Sequence, residues 1–357
     1  MRAAVFHDGR FSVEKLPDPT PGTGQLLVRP LVCGICGSDL SIRKDAPHLC
    51  GVLHRAGFRG FMDPSRPVVM GHEFTCEVLE TSKDCGKYRT GQRLVSLPFL
   101  TAPEGIQLLG YSNGFNGAFA EAMLIDEAMA SPVPEHVPDD IAALAEPLAV
   151  AVHAINAARP DETCAFGVVG CGPVGLFVIA RLKALGLGPI MAIEPNPARR
   201  AMAEKLGADV VMGAQDPAAE DWWDSLGLPV GLSDSMAVDP ALKRRERAIF
   251  FDCVGMPGLL MNIARSAPVG ATIVGIGTCK DDDVIEPAFL LQKGLCLQFV
   301  FAYSPQEFAE AFAMICKNPN ALAPMITRTV GLGDVDDAFA GLIEGRGDIK
   351  VLVRPDL

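Results

Sequence analysis

The sequence contains no apolar run of about 20 residues, the length that a membrane-spanning helix requires. Positive charge is also in deficit, because 31 Lys and Arg face 43 Asp and Glu, for a net charge of −12. That balance argues against a nucleic-acid-binding surface and favours solubility. The first residues turn polar at His7 and Asp8, too early for a signal peptide. We therefore expect a soluble protein with no membrane or nucleic-acid partner.

The cysteines do not form the dense, even-numbered set of a disulfide-stabilised secreted protein. There are eleven of them, scattered over 357 residues, and several fall within apolar strands. The composition, 49% hydrophobic and 21% charged, is that of an ordinary globular protein long enough for about two domains. The sequence thus indicates a reduced, cytoplasmic protein.

Two patterns of local structure follow one another along the chain. Residues 1 to about 147 read as short strands separated by turns, which predicts an all-β, barrel-like body. From about 148 to 289, short apolar strands alternate with helices, as in a parallel doubly wound sheet. A last strand near the carboxyl terminus predicts that residues 290–357 return to the first body. The predicted strands are 3–6, 11–15, 25–33, 74–80, 93–97, 118–125, 165–169, 190–193, 208–212, 248–254, 271–276 and 349–353.

Two segments are expected to lie outside these regular elements. Glycines and prolines between residues 48 and 67 predict a loop with little regular structure. Within that loop, Cys50 and His54 have a metal-compatible spacing, but no second pair of ligands accompanies them. The basic run 243–247 lies in a long connection and is interpreted as a solvated face.

The stretch from Phe166 to Glu194 combines the features of a dinucleotide site. Gly170, Gly172 and Gly175 form G-x-G-x-x-G where an apolar strand turns into a helix. The first glycine permits the turn, the second lets a pyrophosphate approach the backbone, and the third lets helix and strand pack closely. Alone, this pattern is often an ordinary turn in a chain with 36 glycines. Strand, glycines, helix, second strand and terminal acid together predict a bound dinucleotide.

Glu194 favours NAD over NADP. Its carboxylate can accept hydrogen bonds from the adenosine ribose of NAD but would face the 2′-phosphate of NADP. Arg199, five residues later, complicates this interpretation, because an arginine can accommodate that phosphate. The alternative role for Arg199 is a helix-surface charge along the adenine. We expect NAD to be preferred at least about tenfold.

A second group of motifs, each ordinary by itself, is spread over essentially the whole chain. The motifs are Gly34 to Asp39 (G-x-C-G-S-D), Gly71-His72-Glu73, Glu146 to Val150 (E-P-L-A-V), Asp252-Cys253-Val254-Gly255 and Ile349 to Leu352. Together with the opening strands and the glycine turn, these motifs resemble the zinc-containing medium-chain dehydrogenase/reductase family. The resemblance implies a GroES-like β-barrel catalytic domain, residues 1–147 and 290–357, and a Rossmann NAD-binding domain, residues 148–289.

The resemblance implies one catalytic zinc held by Cys36, His72 and Glu146, with an open position for water or the substrate oxygen. Glu73 is the alternative or transient ligand, and Asp39 is the carboxylate expected to orient the histidine. Further cofactor contacts are implied at Pro173, Val174, Cys253, Val254, Gly275 and Ile276.

Two departures from the family pattern bear on the chemistry. Residues 98–119 contain no cysteine, so the structural zinc of many relatives is expected to be missing. Ser41 replaces the usual relay histidine and does not titrate near neutrality, so bulk water could take that role. Ser38 is expected to accept the substrate hydroxyl proton. Cys33 forms Cys-x-x-Cys with Cys36 and is assigned to packing rather than to redox chemistry or a further thiolate ligand.

The resulting hypothesis is a homodimeric or homotetrameric, zinc-dependent oxidoreductase that transfers hydride between NAD and an alcohol or carbonyl, favouring a secondary alcohol. Apolar residues 98–100 favour a hydrophobic substrate, and residues 111–116 are expected to add polar contacts. A zinc-free quinone or enoyl reductase of the same superfamily is the alternative enzyme. The alternative from another class is a non-catalytic NAD-binding protein.

Overall fold

The computed structural model describes residues 1–58, 60–214, 216, 218–237 and 245–357. Within the basic run 243–247, Lys243 and Arg244 therefore lie outside the described residues. The chain forms two compact units. Unit 1 comprises Met1–Pro147 and Phe308–Leu357, and unit 2 comprises Leu148–Glu307.

The amino-terminal part of unit 1 is built mainly of strands. Its elements are β1 (Arg2–His7), β2 (Arg10–Lys15), β3 (Gln25–Gly34), α1 (Gly37–Arg55), β4 (Val68–Val69), β5 (Glu73–Thr81), β6 (Arg93–Ser96), β7 (Phe99–Ala102), β8 (Gly105–Leu108), β9 (Met123–Asp126), β10 (Ala130–Pro132) and α2 (Asp139–Ala142).

Strands and helices alternate after α2, and the division between the units falls inside α3 and again inside α10. Unit 2 contains α3 (Ala145–Ala158), β11 (Cys164–Val169), α4 (Pro173–Ala184), β12 (Ile190–Ile193), α5 (Pro197–Leu206), β13 (Val210–Met212), α6 (Ala218–Ser225), α7 (Leu232–Ala237), β14 (Arg247–Asp252), α8 (Leu259–Ser266), β15 (Thr272–Gly275), α9 (Pro287–Gln292) and β16 (Cys296–Phe299). The chain returns to unit 1 with α10 (Pro305–Lys317), β17 (Ile326–Val330), α11 (Val335–Glu344) and β18 (Lys350–Val353).

The long strand β3 is the centre of unit 1. It pairs antiparallel with β5, β9 and β18, in a sheet with the order β10-β6-β5-β3-β18-β17. In β18, Leu352 pairs with Gly34 and Val353 pairs with Cys33. The last strand of the chain therefore lies beside the strand that leads to the predicted cysteine ligand.

Unit 2 is organised around one parallel sheet of six strands in the order β13-β12-β11-β14-β15-β16. Counted from β11, this is the order 3-2-1-4-5-6 of a doubly wound dinucleotide-binding sheet. Every residue of β11 is buried, as expected for a central strand covered on both faces by helices. The order reverses between β11 and β14, which marks the carboxyl edge of these strands as the ligand-binding edge.

The second domain boundary differs from the sequence-based expectation near residue 290. Strand β16 continues the parallel sheet beyond that point, and unit 2 extends to Glu307. This strand was not predicted because it lies at the sheet edge with only partial burial, so its four residues lack an apolar alternation.

The prediction of a loop over residues 48–67 is also wrong for residues 48–55, because α1 continues to Arg55. The helix is kinked at Asp45, which has non-helical φ and ψ of −161° and 69°. The Asp45 carboxylate accepts a hydrogen bond from the amide of His48 at 3.2 Å, as a capping residue does. Pro47 therefore lies in a new first turn, where its missing amide hydrogen costs little.

One helical stretch, Asp139–Ala158, is long and apolar enough to cross a membrane by composition, with a mean hydropathy of 1.5. Within its most apolar window, 78% of the stretch is buried inside the protein. A helix covered by protein on most of its surface is a core helix, and its apolar character is explained by that packing.

Candidate metal and dinucleotide sites

Three potential metal ligands converge in unit 1. Cys36 immediately precedes α1, His72 lies between β4 and β5, and Glu73 is the first residue of β5. Their ligand atoms, one sulfur, one ring nitrogen and one carboxylate oxygen, all lie within 4.8 Å of one another. Thiolate, imidazole and carboxylate are the donors that zinc accepts in proteins.

The turn that carries His72 and Glu73 requires a glycine. Gly71 has a φ of +98°, and an added Cβ would lie 2.8 Å from the ring of Phe119 and 2.9 Å from the sulfur of Cys33. A side chain at this position would therefore be strained and would also push β3 away from the turn. Cys33 itself is fully buried in the hydrophobic core of unit 1, in agreement with its assignment to packing.

Asp39 connects the two expected ligands Cys36 and His72. It is fully buried, its Oδ2 accepts a hydrogen bond from the Cys36 amide at 2.9 Å, and its Oδ1 lies 3.5 Å from His72 Nδ1. Burial would raise the pKa of the Asp39 carboxyl, but His72, Tyr111 and the Cys36 amide together lower it below its usual value. At this separation His72 Nδ1 remains buried without a hydrogen-bond partner among the described residues, so the orienting role of Asp39 stays a prediction.

Lys350, which the sequence interpretation missed, lies against this group. Its side chain is 1% exposed, forms an ion pair with Glu73 Oε2, and donates a hydrogen bond to the Ile35 carbonyl at 3.0 Å. Burial by itself would lower the pKa of Lys350, but the Glu73 carboxylate and the nearby Cys36 raise it above its usual value. The sequence did contain a signal for this contact, namely a lysine within the apolar strand β18. A lysine is almost never fully buried unless it is paired, so its position there predicts a buried acidic partner.

The two carboxylates proposed as third ligand stand differently in the structure. Glu73 belongs to the converging group, and its Oε1 is buried without a hydrogen-bond partner, while Oε2 pairs with Lys350. A buried oxygen in that state is costly unless a further group satisfies it, and a bound cation would do so. Glu146, in the first turn of α3, is 8% exposed and outside the converging group. The donor set present thus fits a zinc ion.

The hydroxyl groups expected to move the substrate proton are not equivalent. Ser41 Oγ donates a hydrogen bond to the carbonyl of Gly37 at 3.2 Å, one turn earlier in α1. Ser38, in the first turn of the same helix, lies 2.8 Å from the phenolic oxygen of Tyr111. The contact between Tyr111 and this serine was not foreseen, since residues 111–116 were expected to touch substrate.

The glycine turn of unit 2 has the geometry that its sequence predicts. Gly170 directly follows β11 and has a φ of +86°, and an added Cβ on Gly175 would lie 1.9 Å from the Gly170 carbonyl oxygen. Gly172, the capping residue of α4, has open space where its Cβ would be, with no atom within 4 Å. Pro173 begins the helix with a preset φ, and Val174 follows it. The turn therefore leaves the helix amino terminus accessible to a phosphate.

Glu194 lies directly after β12 and is 4% exposed. Its carboxylate accepts hydrogen bonds from the amide of Cys171 at 2.7 Å and from the amide of Asn196 at 2.9 Å. Asn196 in turn caps α5 by accepting from the amides of Ala198 and Arg199. The structure thus places the acid against the glycine turn and Arg199 in the first turn of the next helix.

The remaining predicted cofactor residues lie at the same edge of the parallel sheet. Cys253 and Val254 follow β14, whose last residue, Asp252, accepts hydrogen bonds from the amides of Val254 at 2.9 Å and Gly255 at 3.1 Å. Gly275 is the last residue of β15. The amide of the next residue, Ile276, donates a hydrogen bond to the Asp252 carbonyl at 3.0 Å. All these residues surround the carboxyl ends of β11, β12, β14 and β15, where doubly wound sheets bind their ligands.

Comparison with known proteins agrees with both halves of this description. Residues 173–317 match the family model described as zinc-binding dehydrogenase, and residues 22–135 match the alcohol dehydrogenase GroES-like domain. The (R,R)-butanediol dehydrogenase of Bacillus subtilis is 28% identical over 100% of both chains. The sorbitol dehydrogenase of the same organism is 23% identical over 100% of this chain and 98% of its own. The crystal structure of 2R,3R-butanediol dehydrogenase from Bacillus subtilis has a TM-score of 0.81 and 26% identity, and the match covers 99% of each chain.

The buried ion pair yields a stability prediction. Lys350→Met should destabilise the metal-free protein by about 3–5 kcal/mol, because it leaves the Glu73 carboxylate buried and unpaired. The double variant Glu73→Gln with Lys350→Met should recover most of that loss. The free energy of unfolding would be measured in urea.

The matched control is Lys183→Met, which removes a lysine from a solvent-exposed pair with Asp209. That change should alter the free energy of unfolding by less than about 1 kcal/mol. Equal stability of Lys350→Met and wild type would show that the pair does not hold unit 1 together.

Proposed function

The chain belongs to the family of zinc-type, GroES-like medium-chain dehydrogenases, and from this premise we propose how it works as a zinc- and NAD-dependent oxidoreductase of secondary alcohols. Unit 1 is assigned as the catalytic domain and unit 2 as the NAD-binding domain. The single observation that carries this proposal is the convergence of Cys36, His72 and the buried carboxylate of Glu73 on one point of unit 1, a group that does not include Glu146. A zinc-free reductase has no use for that donor set, and a non-catalytic protein has no use for a serine beside it.

Charge balance supports Glu146 rather than Glu73 as the third zinc ligand. The carboxylate of Glu73 is already compensated by Lys350 in a buried pair. The thiolate of Cys36 and the carboxylate of Glu146 together carry the two negative charges that match Zn²⁺. Glu73 is then the alternative ligand, since its Oε1 is buried without a hydrogen-bond partner.

When bound, zinc would lower the pKa of a coordinated alcohol, and NAD would accept the hydride. Asp39 would orient the His72 ring, and Ser38 would take the hydroxyl proton of the substrate and pass a proton on along the nicotinamide ribose to solvent. Ser41 has its own proton directed at the Gly37 carbonyl. The outer end of the proton path is therefore assigned to solvent instead of to a titrating side chain.

A small secondary diol is the substrate class that we propose. Two of the relatives are named for butanediol and sorbitol, both of which carry adjacent hydroxyl groups. The sequence predicts that the apolar residues 98–100 favour a hydrophobic substrate. Of these, Leu100 is fully buried in the core and unavailable to a ligand. Formation of reduced cofactor would be followed with NAD and 2,3-butanediol, sorbitol or 2-butanol, and equal rates with the simple alcohol would count against a diol site.

We assign the protein to the cytoplasm because all eleven cysteines are free thiols, several of them in the core. For partners, we propose a second copy of this chain. Strand β16 is the edge of the parallel sheet. Its last residue, Phe299, is 70% exposed, and Phe301, two residues later, is 79% exposed. Large apolar side chains beside an open strand edge are typical of a surface covered by another subunit.

Replacing Cys36 with Ala should abolish both bound zinc and turnover, while the NAD dissociation constant changes by less than about twofold, since unit 2 is untouched. The matched control, Cys33→Ala, removes a core thiol and should retain zinc. Elemental analysis of wild type should give one zinc per chain. Two zinc ions per chain would contradict the expected absence of a structural zinc site.

The variants Glu146→Gln and Glu73→Gln test which carboxylate is the third ligand. Loss of zinc in Glu73→Gln but not in Glu146→Gln would make Glu73 the ligand and Glu146 the alternative.

Wild type should prefer NAD over NADP by at least about tenfold in kcat/KM, equal to about 1.4 kcal/mol. Glu194→Ala should narrow this preference mainly by improving NADP, because it removes a negative charge that opposes the 2′-phosphate. Glu204→Ala, an exposed carboxylate on α5, is the control and should leave the ratio unchanged. Equal efficiency of wild type with both cofactors would refute the role given to Glu194.

Light scattering at micromolar concentration should give a mass of at least two chains. The double variant Phe299→Lys with Phe301→Lys should have a measured mass closer to that of one chain, because charged side chains on an edge strand oppose strand pairing. A lysine at Ile106, which is 56% exposed in unit 1, serves as the control. A monomeric wild type would contradict this proposal.

A further inference from the structure

We propose that Tyr111 is a positioning residue for the reaction, one that fixes the hydroxyl of Ser38 so that its lone pairs face the substrate. The inference rests on the proposed alcohol dehydrogenase activity and on the role of Ser38 in it. It concerns a different residue, whose contribution is to orient the serine rather than to touch the substrate.

The phenol ring of Tyr111 is held firmly in place. The residue is 4% exposed and lies three positions after β8. Its ring contacts that of Phe61, with a centroid distance of 5.0 Å, and that of His72, at 5.1 Å. A buried ring in contact with two others has little freedom, so the position of its hydroxyl oxygen is set by packing.

That oxygen is shared between two neighbours. It lies 2.6 Å from Asp39 Oδ1 and 2.8 Å from Ser38 Oγ. A phenol has one proton to donate, and an ionised carboxylate can only accept. The Tyr111 proton therefore goes to Asp39, as the stronger, charge-assisted hydrogen bond. Ser38 must then donate its own proton to the Tyr111 oxygen.

This assignment determines what Ser38 presents to a substrate. With its hydrogen directed at Tyr111, the serine oxygen can only accept a hydrogen bond from an incoming alcohol, which is the direction that proton removal requires. Without the phenol hydroxyl, the serine would rotate freely and would also act as a donor to the substrate oxygen. Ser41 does not substitute for Tyr111, because its hydroxyl donates to the backbone of Gly37.

The same hydrogen bonds tie Ser38 to the group that orients the metal ligands. Asp39 accepts the hydrogen bond from the Tyr111 hydroxyl through Oδ1, and through Oδ2 it accepts a second one from the Cys36 amide at 2.9 Å. Serine, tyrosine, aspartate and the cysteine backbone thus form one continuous chain of hydrogen bonds. The position of the proton acceptor is thereby fixed relative to the expected metal ligands. A misplacement of about 1 Å can lower a catalytic rate about 100-fold.

Tyr111→Phe removes the hydroxyl but keeps both ring contacts. We expect kcat with NAD and the best alcohol to fall about 10- to 100-fold. Zinc content by elemental analysis, the NAD dissociation constant and KM for NAD should remain within about twofold of wild type, and the variant should fold. The matched control is Tyr88→Phe, since Tyr88 is also buried in unit 1 but donates its hydroxyl to the Ala130 carbonyl. That control should retain wild-type kcat.

A double-mutant cycle separates action through Ser38 from a general structural effect. In the Ser38→Ala background, Tyr111→Phe should cause no further loss of kcat, because the group it positions is absent. Multiplicative losses would overturn the inference, as would wild-type kcat in Tyr111→Phe, or a loss of zinc that accounts for its lower kcat. Wild-type protein that binds zinc and NAD but oxidises no alcohol would instead overturn the proposed function itself, and with it this role.

Discussion

The buried ion pair of Glu73 with Lys350 joins two parts of the chain that lie 277 residues apart. Both side chains are 1% exposed, so neither charge has water to satisfy it, and each depends on the other. Lys350 begins the last strand, and Glu73 begins the strand that follows the histidine ligand. The pair therefore fixes the carboxyl-terminal segment against the point where the proposed metal ligands meet.

The polar side chains around this pair in unit 1 differ in how deeply they are buried. Asp39 and Lys350 have no free surface and compensate the charges beside them, whereas Ser38 is only half-buried. Tyr111 links the inner group to the outer one. Fixed dipoles in a buried site stabilise charge that develops on a substrate oxygen, and the role proposed for Ser38 would use this arrangement.

Unit 2 solves a separate problem, binding a cofactor by backbone rather than by side-chain charge. Its sheet buries central strands on both faces and collects the strand ends at one edge. Gly170 and Gly175 pack so closely that no side chain fits, while Gly172 leaves open space above the helix start. The proposed preference for NAD depends on a single buried acid, Glu194, which lies directly after the second strand of this sheet.

Local sequence patterns alone determined the doubly wound sheet and the glycine turn, because strand, turn and helix signals there are contiguous and depend on short-range sterics. The ligand motifs around Cys36 and His72 were equally visible as sequence. Tertiary structure alone decided that Lys350 neutralises Glu73, that Tyr111 bonds Ser38, and that an edge strand at 296–299 extends unit 2. These contacts join residues far apart in the chain, and no periodicity or spacing encodes which distant side chains will share one buried space.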